Sequence, residues 1–309
     1  MYAYQSWGLT VLPAGLQMAL EEHALQLARK GQAVVRTFST PQDAVVLGYA
    51  QAPDVVQGGW GSQAMHSVHH AGVASAPPLD LVRRPTGGSH VQIGPNTLAY
   101  SVAVPRDGSF RTYEDFRRYY GDALVRALGD LGIQAAADHA ASTVNVAGRV
   151  VASHAVLWGT EAALLHGLLV LSPYDVDLLA RRVLLQTRAI RGQPCSEAAA
   201  IRRIPALSLL LRRDSALLRE AVSQAILRAF SRDGSLASAP LAPRDLRQAD
   251  LLRRQKHGHP AWIRGRAPPF SPEGVEAIPG EELAGPLKAG LGYCFYSQVR
   301  DQDFRRMVE

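Results

Sequence analysis

Residues 142–172, STVNVAGRVVASHAVLWGTEAALLHGLLVLS, constrain the fold of this chain more than any other stretch. Val144 and Val146 alternate with polar residues and lead into a turn at Ala147-Gly148. Two further apolar runs follow, and Gly159 separates them. Alternation with a period of two indicates a strand, and small residues between such runs indicate tight turns. The stretch therefore predicts a meander of antiparallel strands.

The remaining apolar patterns predict helices and strands in a mixed order. Apolar residues recur at helical spacing in the helices and in alternation or short runs in the strands. Helices are predicted over residues 16–30, 113–132, 172–184 and 206–233, and strands over 33–38, 43–50, 79–85 and 97–105. The class is α/β (α+β), with a mostly antiparallel central sheet and flanking helices.

Two proline-rich stretches punctuate the C-terminal third. Residues 237–246 indicate a linker or excursion, and residues 266–274 precede a tail of about 35 residues. The sequence therefore predicts a main body of residues 1–250 and a small C-terminal segment of residues 251–309.

The charge balance favours acidic partners. The chain has 309 residues, a formal net charge of +6 and a pI near 9.5. It lacks basic tracts, RNP-type aromatic motifs and zinc-finger spacing, so we do not expect a nucleic-acid partner. It also lacks a signal-peptide pattern and any apolar run of about 18 residues, so we expect a cytoplasmic protein with no membrane partner.

The stretch RRPTGGSHVQIGPN, residues 83–96, has the composition of an anion-binding loop. Gly87 and Gly88 allow main-chain N–H groups to approach a ligand, and such groups form a concave anion site. Arg83 and Arg84 add guanidinium donors, but in a strand they face opposite ways. A basic hairpin turn without a ligand is the alternative interpretation.

Several segments resemble the biotin/lipoate protein ligase family, and they occur in that family's order. The glycine stretch resembles its RRxxGGG signature. The other resembling segments are PAGLQMALEEHAL (13–25), AVVLGYAQ (44–51), NTLAYSVAVP (96–105), VNVAGRVVASHAV (144–156), LLHGLLVLS (164–172) and HPAWIRGRAPPF (259–270).

The resemblance implies a class II synthetase-like twisted sheet with helices on one face and a ligase-like domain over residues 1–250. It implies lipoyl- or octanoyl-type acyl transfer to a lysine of an acidic lipoyl-type carrier domain. The acyl ligand would be lipoate or octanoate, as an acyl-AMP or acyl thioester, with ATP and Mg²⁺ if the reaction is a ligation.

The resemblance also implies positions for site residues. Arg84, Gly87 and Gly88, with Ser89 in place of the third glycine, would lie beside the phosphate or acyl carbonyl. The residues implied for the neighbouring hairpin and the acyl tunnel are Ser153, His154, Ala155, Gly48, Tyr49, His166 and Gly167.

Val150 is the main departure from the family pattern, because it occupies the position of the lysine that follows GR. In the family that ammonium stabilises negative charge as it develops on the substrate. Losing one such donor costs roughly 10²–10³ in rate. No lysine occurs between Gly31 and Gln255, so His154 and His90 are the candidate substitutes.

Two interpretations remain open from the sequence. One is a divergent lipoyl or octanoyl transferase or ligase. The other is a catalytically degenerate member that binds an acyl ligand, a nucleotide or a lipoyl domain. Cys195, expected in a loop, and the His66, His69 and His70 cluster identify neither a thiol nucleophile nor a metal site.

Overall fold

The computed structural model describes residues 2–51, 80–88, 90–173 and 206–266, together with the backbone of residues 187–190 and 193–196. In chain order the strands are β1 (Ala3–Val11), β2 (Ala33–Ser39), β3 (Ala44–Leu47), β4 (Asp80–Arg83), β5 (Val91–Ile93), β6 (Thr97–Pro105), β7 (Ala135–Asp138), β8 (Thr143–Val146), β9 (Arg149–Trp158), β10 (Ala162–Val170), β11 (Thr187–Ile190), β12 (Gln193–Ser196) and β13 (Ser235–Ser238). The helices are α1 (Ala14–Arg29), α2 (Tyr113–Gly129), α3 (Leu207–Leu211), α4 (Ser215–Phe230), α5 (Pro243–Leu252), a π-helical stretch (Arg253–His257) and α6 (Pro260–Gly265).

The main sheet has eight strands in the order β13-β1-β2-β6-β10-β9-β8-β7. Only the pairings of β1 with β13 and with β2 are parallel, so the mostly antiparallel sheet is confirmed. The predicted meander is β8, β9 and β10. Ala147 and Gly148 join β8 to β9 with φ values of 51° and 73°, as a two-residue hairpin turn requires.

Helices cover both faces of the main sheet, whereas the resemblance implied helices on one face. One face packs against α2 and α4, and their shared core includes Val35, Tyr100 and Leu165. The other face packs against α1 and α5, through Val34 and Leu164 among others. Neighbouring strand residues point to opposite faces, and both faces of the central strands carry apolar residues, so each face needs a cover.

A second, three-stranded sheet in the order β4-β3-β5 lies on the α1 side. Its strands share a core with Met18 of α1 and with Phe38, Ala99 and Leu168 of the main sheet. The space between the two sheets is where the candidate site lies.

Two local expectations were wrong. The stretch expected as a linker, 237–246, contains the end of β13 and the start of α5. Pro243 occupies the first turn of α5. The N–H that proline lacks would have no partner in a first helical turn, and the fixed φ of proline suits the helix. Cys195 lies in the two-stranded β11–β12 hairpin and not in a loop.

Other expectations fall outside the described residues. They concern Ser89, most of the segment 51–78 with its histidines, most of the predicted helix 172–184, Cys294 and the tail after residue 266. Within the part that is described, no helix is long and apolar enough to cross a membrane.

Candidate active site

A pocket of about 400 Å³, measured to its open mouth, lies between the two sheets. Its lining residues are Met18, Phe38, Val46, Arg84, Val91, Ile93, Ala99, Ser153, Ala155, His166, Gly167 and Leu168. The lining is mainly apolar with a few polar groups, which suits a ligand with an apolar chain and a polar end.

Two rows of paired residues across the main sheet build the floor of this pocket. Strand pairing aligns Phe38, Ala99, Leu168 and Ser153 in one row. The next row on the same face aligns Arg36, Ser101, His166 and Ala155. Because residues two apart on a strand share a face, the predicted hairpin residues Ser153 and Ala155 both reach the pocket.

The glycine loop packs directly against the residue that follows β3. A Cβ atom on Gly48 would lie 2.7 Å from the carbonyl carbon of Gly88 and would collide with its oxygen. The Tyr49 N–H donates to the Thr86 carbonyl at 2.8 Å, which joins the two loops. Gly88 has a φ of +90°, which glycine adopts readily. Gly87 differs, because a Cβ there would point into open space.

Arg83 and Arg84 point in opposite directions, as their positions in a strand predict. Arg83 donates to the carbonyls of Gly48, Tyr49 and Gln51 and to those of Trp262 and Ile263 in α6. It therefore ties the C-terminal helix to the loop after β3.

Arg84 turns toward the pocket. It donates to Thr86 Oγ1 at 3.0 Å, to the Val46 carbonyl at 3.2 Å and to the Gly87 carbonyl at 2.7 Å. The side chain is buried and lines the pocket. Arg84 thus fixes the shape of the glycine loop and brings positive charge to the ligand space.

A buried polar network that we did not predict lies behind the pocket. The Glu21 carboxylate contacts Arg36 Nη1 at 3.1 Å and His166 Nδ1 at 3.0 Å. Burial lowers the pKa of Arg36 to about 10, so it stays charged at neutral pH. Two features of the sequence could have indicated this network. Arg36 is a charged residue within the apolar strand AVVRTF, and Glu21 lies on the buried face of α1.

Val150 lies on the same face of the main sheet as Ser153 because of a β-bulge. Val144 pairs with Ala152, but Asn145 pairs with Val150, so β9 has one extra residue between them. The extra residue, Val151, packs with Ala152 in the core on the α2 side. Strict alternation would have placed Val150 opposite Ser153, and the bulge reverses this.

His154 lies on the face of β9 opposite to Ser153 and Ala155, toward α2. A Cβ on Gly121 of α2 would contact the rings of His154 and His139. Burial, with smaller contributions from Arg117 and His139, lowers the pKa of His154 to about 3. This placement and this pKa remove His154 as a charged donor to the pocket. His90, which bonds Gln51 at 2.8 Å, is buried beside the loop after β3.

The two remaining predicted residues have different surroundings. Tyr49 is 44% exposed and its ring lies 6.1 Å from that of Trp262. Gly167 contributes backbone to the pocket floor. A Cβ there would collide with the Tyr100 hydroxyl, which crosses β10 to donate to the Ser153 carbonyl at 3.3 Å.

The fold and the pocket define the class of protein: a ligase-like domain with a mainly apolar pocket, lined in part by Arg84, which also bonds the glycine loop. The family model described as lipoyl protein ligase A/B catalytic domain matches residues 13–231. This match covers more than half of the 309 residues, so the chain belongs to that family. Among curated proteins, none matches the chain.

Solved structures show the same fold at low sequence identity. A lipoate-protein ligase A bound with ATP is 17% identical, with a TM-score of 0.64 over 86% of this chain and 99% of that one. A T. acidophilum protein assigned as a lipoate protein ligase, with bound lipoic acid, gives the same values. A bipartite lipoate protein ligase of Thermoplasma acidophilum, described with its E2 lipoyl domain, is 18% identical, with a TM-score of 0.67 over 87% of this chain and 98% of that one.

Proposed function

We propose that this protein binds a lipoate- or octanoate-type acid and attaches its acyl group to a lysine of a lipoyl-type carrier domain. The observation that carries the proposal is the pocket itself. Its apolar floor, formed by Phe38, Ala99 and Leu168, suits an acyl chain, and Arg84 supplies a cation beside it. A guanidinium pairs well with a carboxylate or a phosphate.

Relatives with the same fold support this choice of ligand. One binds lipoic acid, another binds ATP, and a third works with an E2 lipoyl domain. In a ligation, ATP brought with Mg²⁺ would convert the acid to an acyl-AMP and release pyrophosphate, and the carrier lysine would then take the acyl group and release AMP. Arg84 and the N–H groups of the loop at Gly87 and Gly88 would then face the phosphate or the acyl carbonyl.

Val150 supports a second candidate, in which the protein binds the acyl ligand without transferring it. Among the described residues no lysine lines the pocket. Lys256 instead pairs with Glu22 at 2.7 Å and lies over the ring of Trp262. The ammonium of the family pattern therefore has no lysine substitute in this part of the chain, although Arg84 still supplies positive charge.

Calorimetry and mass spectrometry separate the two candidates. The protein is titrated with lipoate and with octanoate, and is then incubated with either acid, ATP, Mg²⁺ and a lipoyl domain. A parallel reaction supplies octanoyl thioester on a carrier protein in place of ATP and free acid. Binding followed by a mass increase of the lipoyl domain supports transfer. Binding without modification in either reaction supports the degenerate candidate. No binding of either acid, together with no modification in either reaction, contradicts both.

A further inference from the structure

A continuous chain of hydrogen bonds links the core of the main sheet to the glycine loop. It begins at the fully buried pair of Arg36 and Glu21. Glu21 Oε2 contacts His166 Nδ1 at 3.0 Å, and His166 Nε2 contacts Thr86 Oγ1 at 2.6 Å. Thr86 Oγ1 then accepts from Arg84 Nε at 3.0 Å. The chain therefore ends on the cation that lines the acyl pocket.

The chemistry of the groups assigns a direction to this chain. A carboxylate only accepts, so His166 donates from Nδ1 to Glu21, and in the neutral ring Nε2 then carries a lone pair. The Thr86 hydroxyl can then donate to Nε2 while its oxygen accepts from Arg84, which only donates. Every contact is satisfied with His166 neutral and protonated on Nδ1. A second proton on Nε2 would displace the Thr86 hydrogen, which would then need another acceptor.

Glu21 itself is held in place from several sides. Ser101 donates to its Oε1 at 2.8 Å, and Arg36 donates to the same oxygen at 3.1 Å. Arg36 is in turn bonded to the Gln17 carbonyl at 3.2 Å and to the Gln17 side chain. The carboxylate cannot move without breaking buried bonds, which makes it a rigid anchor.

We propose that Thr86, which bonds Arg84 directly, and Glu21, which acts through His166 and Thr86, are positioning residues that fix the direction of the Arg84 guanidinium over the pocket. The inference rests on the proposed function, because it concerns recognition of the acid group in that same pocket. Thr86 sets the position of Arg84 Nε, and the carbonyls of Val46 and Gly87 set the rest of the guanidinium plane. A carboxylate needs this plane held in one orientation to form two parallel bonds.

The test compares Thr86→Val with Thr86→Ser and uses two ligands. Valine keeps the shape of threonine and removes the hydroxyl, whereas serine keeps the hydroxyl. Lipoate has the carboxylate that Arg84 would bind, and lipoamide has the same chain without the charge. The matched control is Thr37→Val. Thr37 is also buried, but its hydroxyl bonds Ser223 of α4 at 2.7 Å, on the face of the sheet opposite the pocket.

We expect Thr86→Val to weaken lipoate binding about ten-fold in calorimetry, as for loss of one hydrogen bond to a charged group. The affinity for lipoamide should not change. Thr86→Ser should recover most of the lipoate affinity, and Thr37→Val should match the wild type with both ligands. Unchanged lipoate affinity in Thr86→Val, or an equal loss for both ligands, would overturn the proposal, because a general loosening of the pocket does not select the charged ligand.

A second measurement separates this inference from the proposed function. If the wild type binds no lipoate, the proposed function fails, and ¹⁵N spectra of the histidine rings still test the network. The ring of His166 is recognised as the one whose Nε2 signal moves in Thr86→Val. We expect this ring to carry its proton on Nδ1. A proton on Nε2 alone would reverse the direction of the chain and overturn the inference.

Discussion

The main chain of Gly88 occupies the space that a side chain at Gly48 would need. A Cβ on Gly48 would lie 2.7 Å from the Gly88 carbonyl carbon, and Arg84 Nη2 would be 3.4 Å away. The loop that follows β3 and the glycine loop therefore meet backbone to backbone. This contact gives the glycine loop its position over the pocket.

Gly48→Ala should displace the glycine loop, because the carbonyl it would strike belongs to backbone and cannot rotate away. We expect the free energy of unfolding to fall by about 1–3 kcal/mol, as for overpacking of a buried site. Lipoate affinity should fall as well. Thermal unfolding and calorimetry test this, and a variant with wild-type stability would show that the loops do not meet as described.

Gly87→Val should behave differently, because its side chain would enter open space, which we propose is where the ligand approaches the loop. The protein should keep its melting temperature while its affinity for an acyl-AMP analogue is lost. Calorimetry with the folded variant is the measurement. If the folded variant binds as tightly as the wild type, the glycine loop is not part of the site.

Val150→Lys should add transfer activity if the wild type has none. The bulge in β9 places residue 150 on the sheet face of Ser153, which is the face that carries the pocket. Burial would depress the pKa of the new lysine, so the charged form, and with it the added activity, should be lost as pH rises through that lowered pKa. Arg149→Lys is the control, because its side chain is exposed at the hairpin. Equal activity in both variants would argue against a specific role for position 150.

Acid should release the contact between α1 and the C-terminal helices. Burial raises the pKa of Glu22, but hydrogen bonds and charge from His257 and Lys256 outweigh it and lower the pKa from 4.5 to about 2. A depressed folded-state pKa adds stability above the unfolded value, and this stability is lost as pH falls from about 4.5 toward 2.

Glu22→Gln should therefore lower the free energy of unfolding by on the order of 2–3 kcal/mol at neutral pH. The difference from the wild type should shrink below pH 4.5 and vanish near pH 2. Urea unfolding at several pH values measures it, and a difference that is constant with pH would rule out the carboxylate as the titrating group.

An acidic carrier domain should approach the pocket from the side of the glycine loop. Arg266 is exposed there and lies over the ring of Tyr49. Arg266→Glu should weaken lipoyl-domain binding at low salt, and raised salt should weaken binding to the wild type, since exposed charges are screened beyond about 8 Å at physiological ionic strength.

The control for this experiment is Arg118→Glu on α2, which makes the same charge change at an exposed residue on the opposite side of the main sheet. Interferometry at two salt concentrations measures both variants. An equal loss in the two would indicate net charge and not a docking face. Absence of lipoyl-domain binding at low salt, with tight binding to DNA or RNA, would support a nucleic-acid role instead.

The sequence predicted the elements whose periodicity is strong. The helix α1, the strand β6 and the meander from β8 to β10 were all recognisable, because each keeps one period over most of its length. Pairing of β13 with β1 was not predictable, because all four residues of β13 are exposed and show no alternation of apolar and polar side chains.

The site was predictable only in part, because its geometry depends on contacts between distant segments. Strand alternation correctly separated Arg83 from Arg84. It could not reveal the bulge at Val151, which places Val150 and His154 on opposite faces. Nor could it show that Glu21 of α1 meets His166 of β10, because that contact joins residues 145 apart.

The most direct test of the account is the mass of a lipoyl domain after incubation with this protein. One reaction contains lipoate, ATP and Mg²⁺, and another contains octanoyl thioester on a carrier. The account predicts that the domain gains one lipoyl or octanoyl group on its lysine, and that Gly87→Val abolishes the gain. An unmodified domain in both reactions, with an established ligase modifying the same domain, would contradict the proposal that this protein transfers acyl groups.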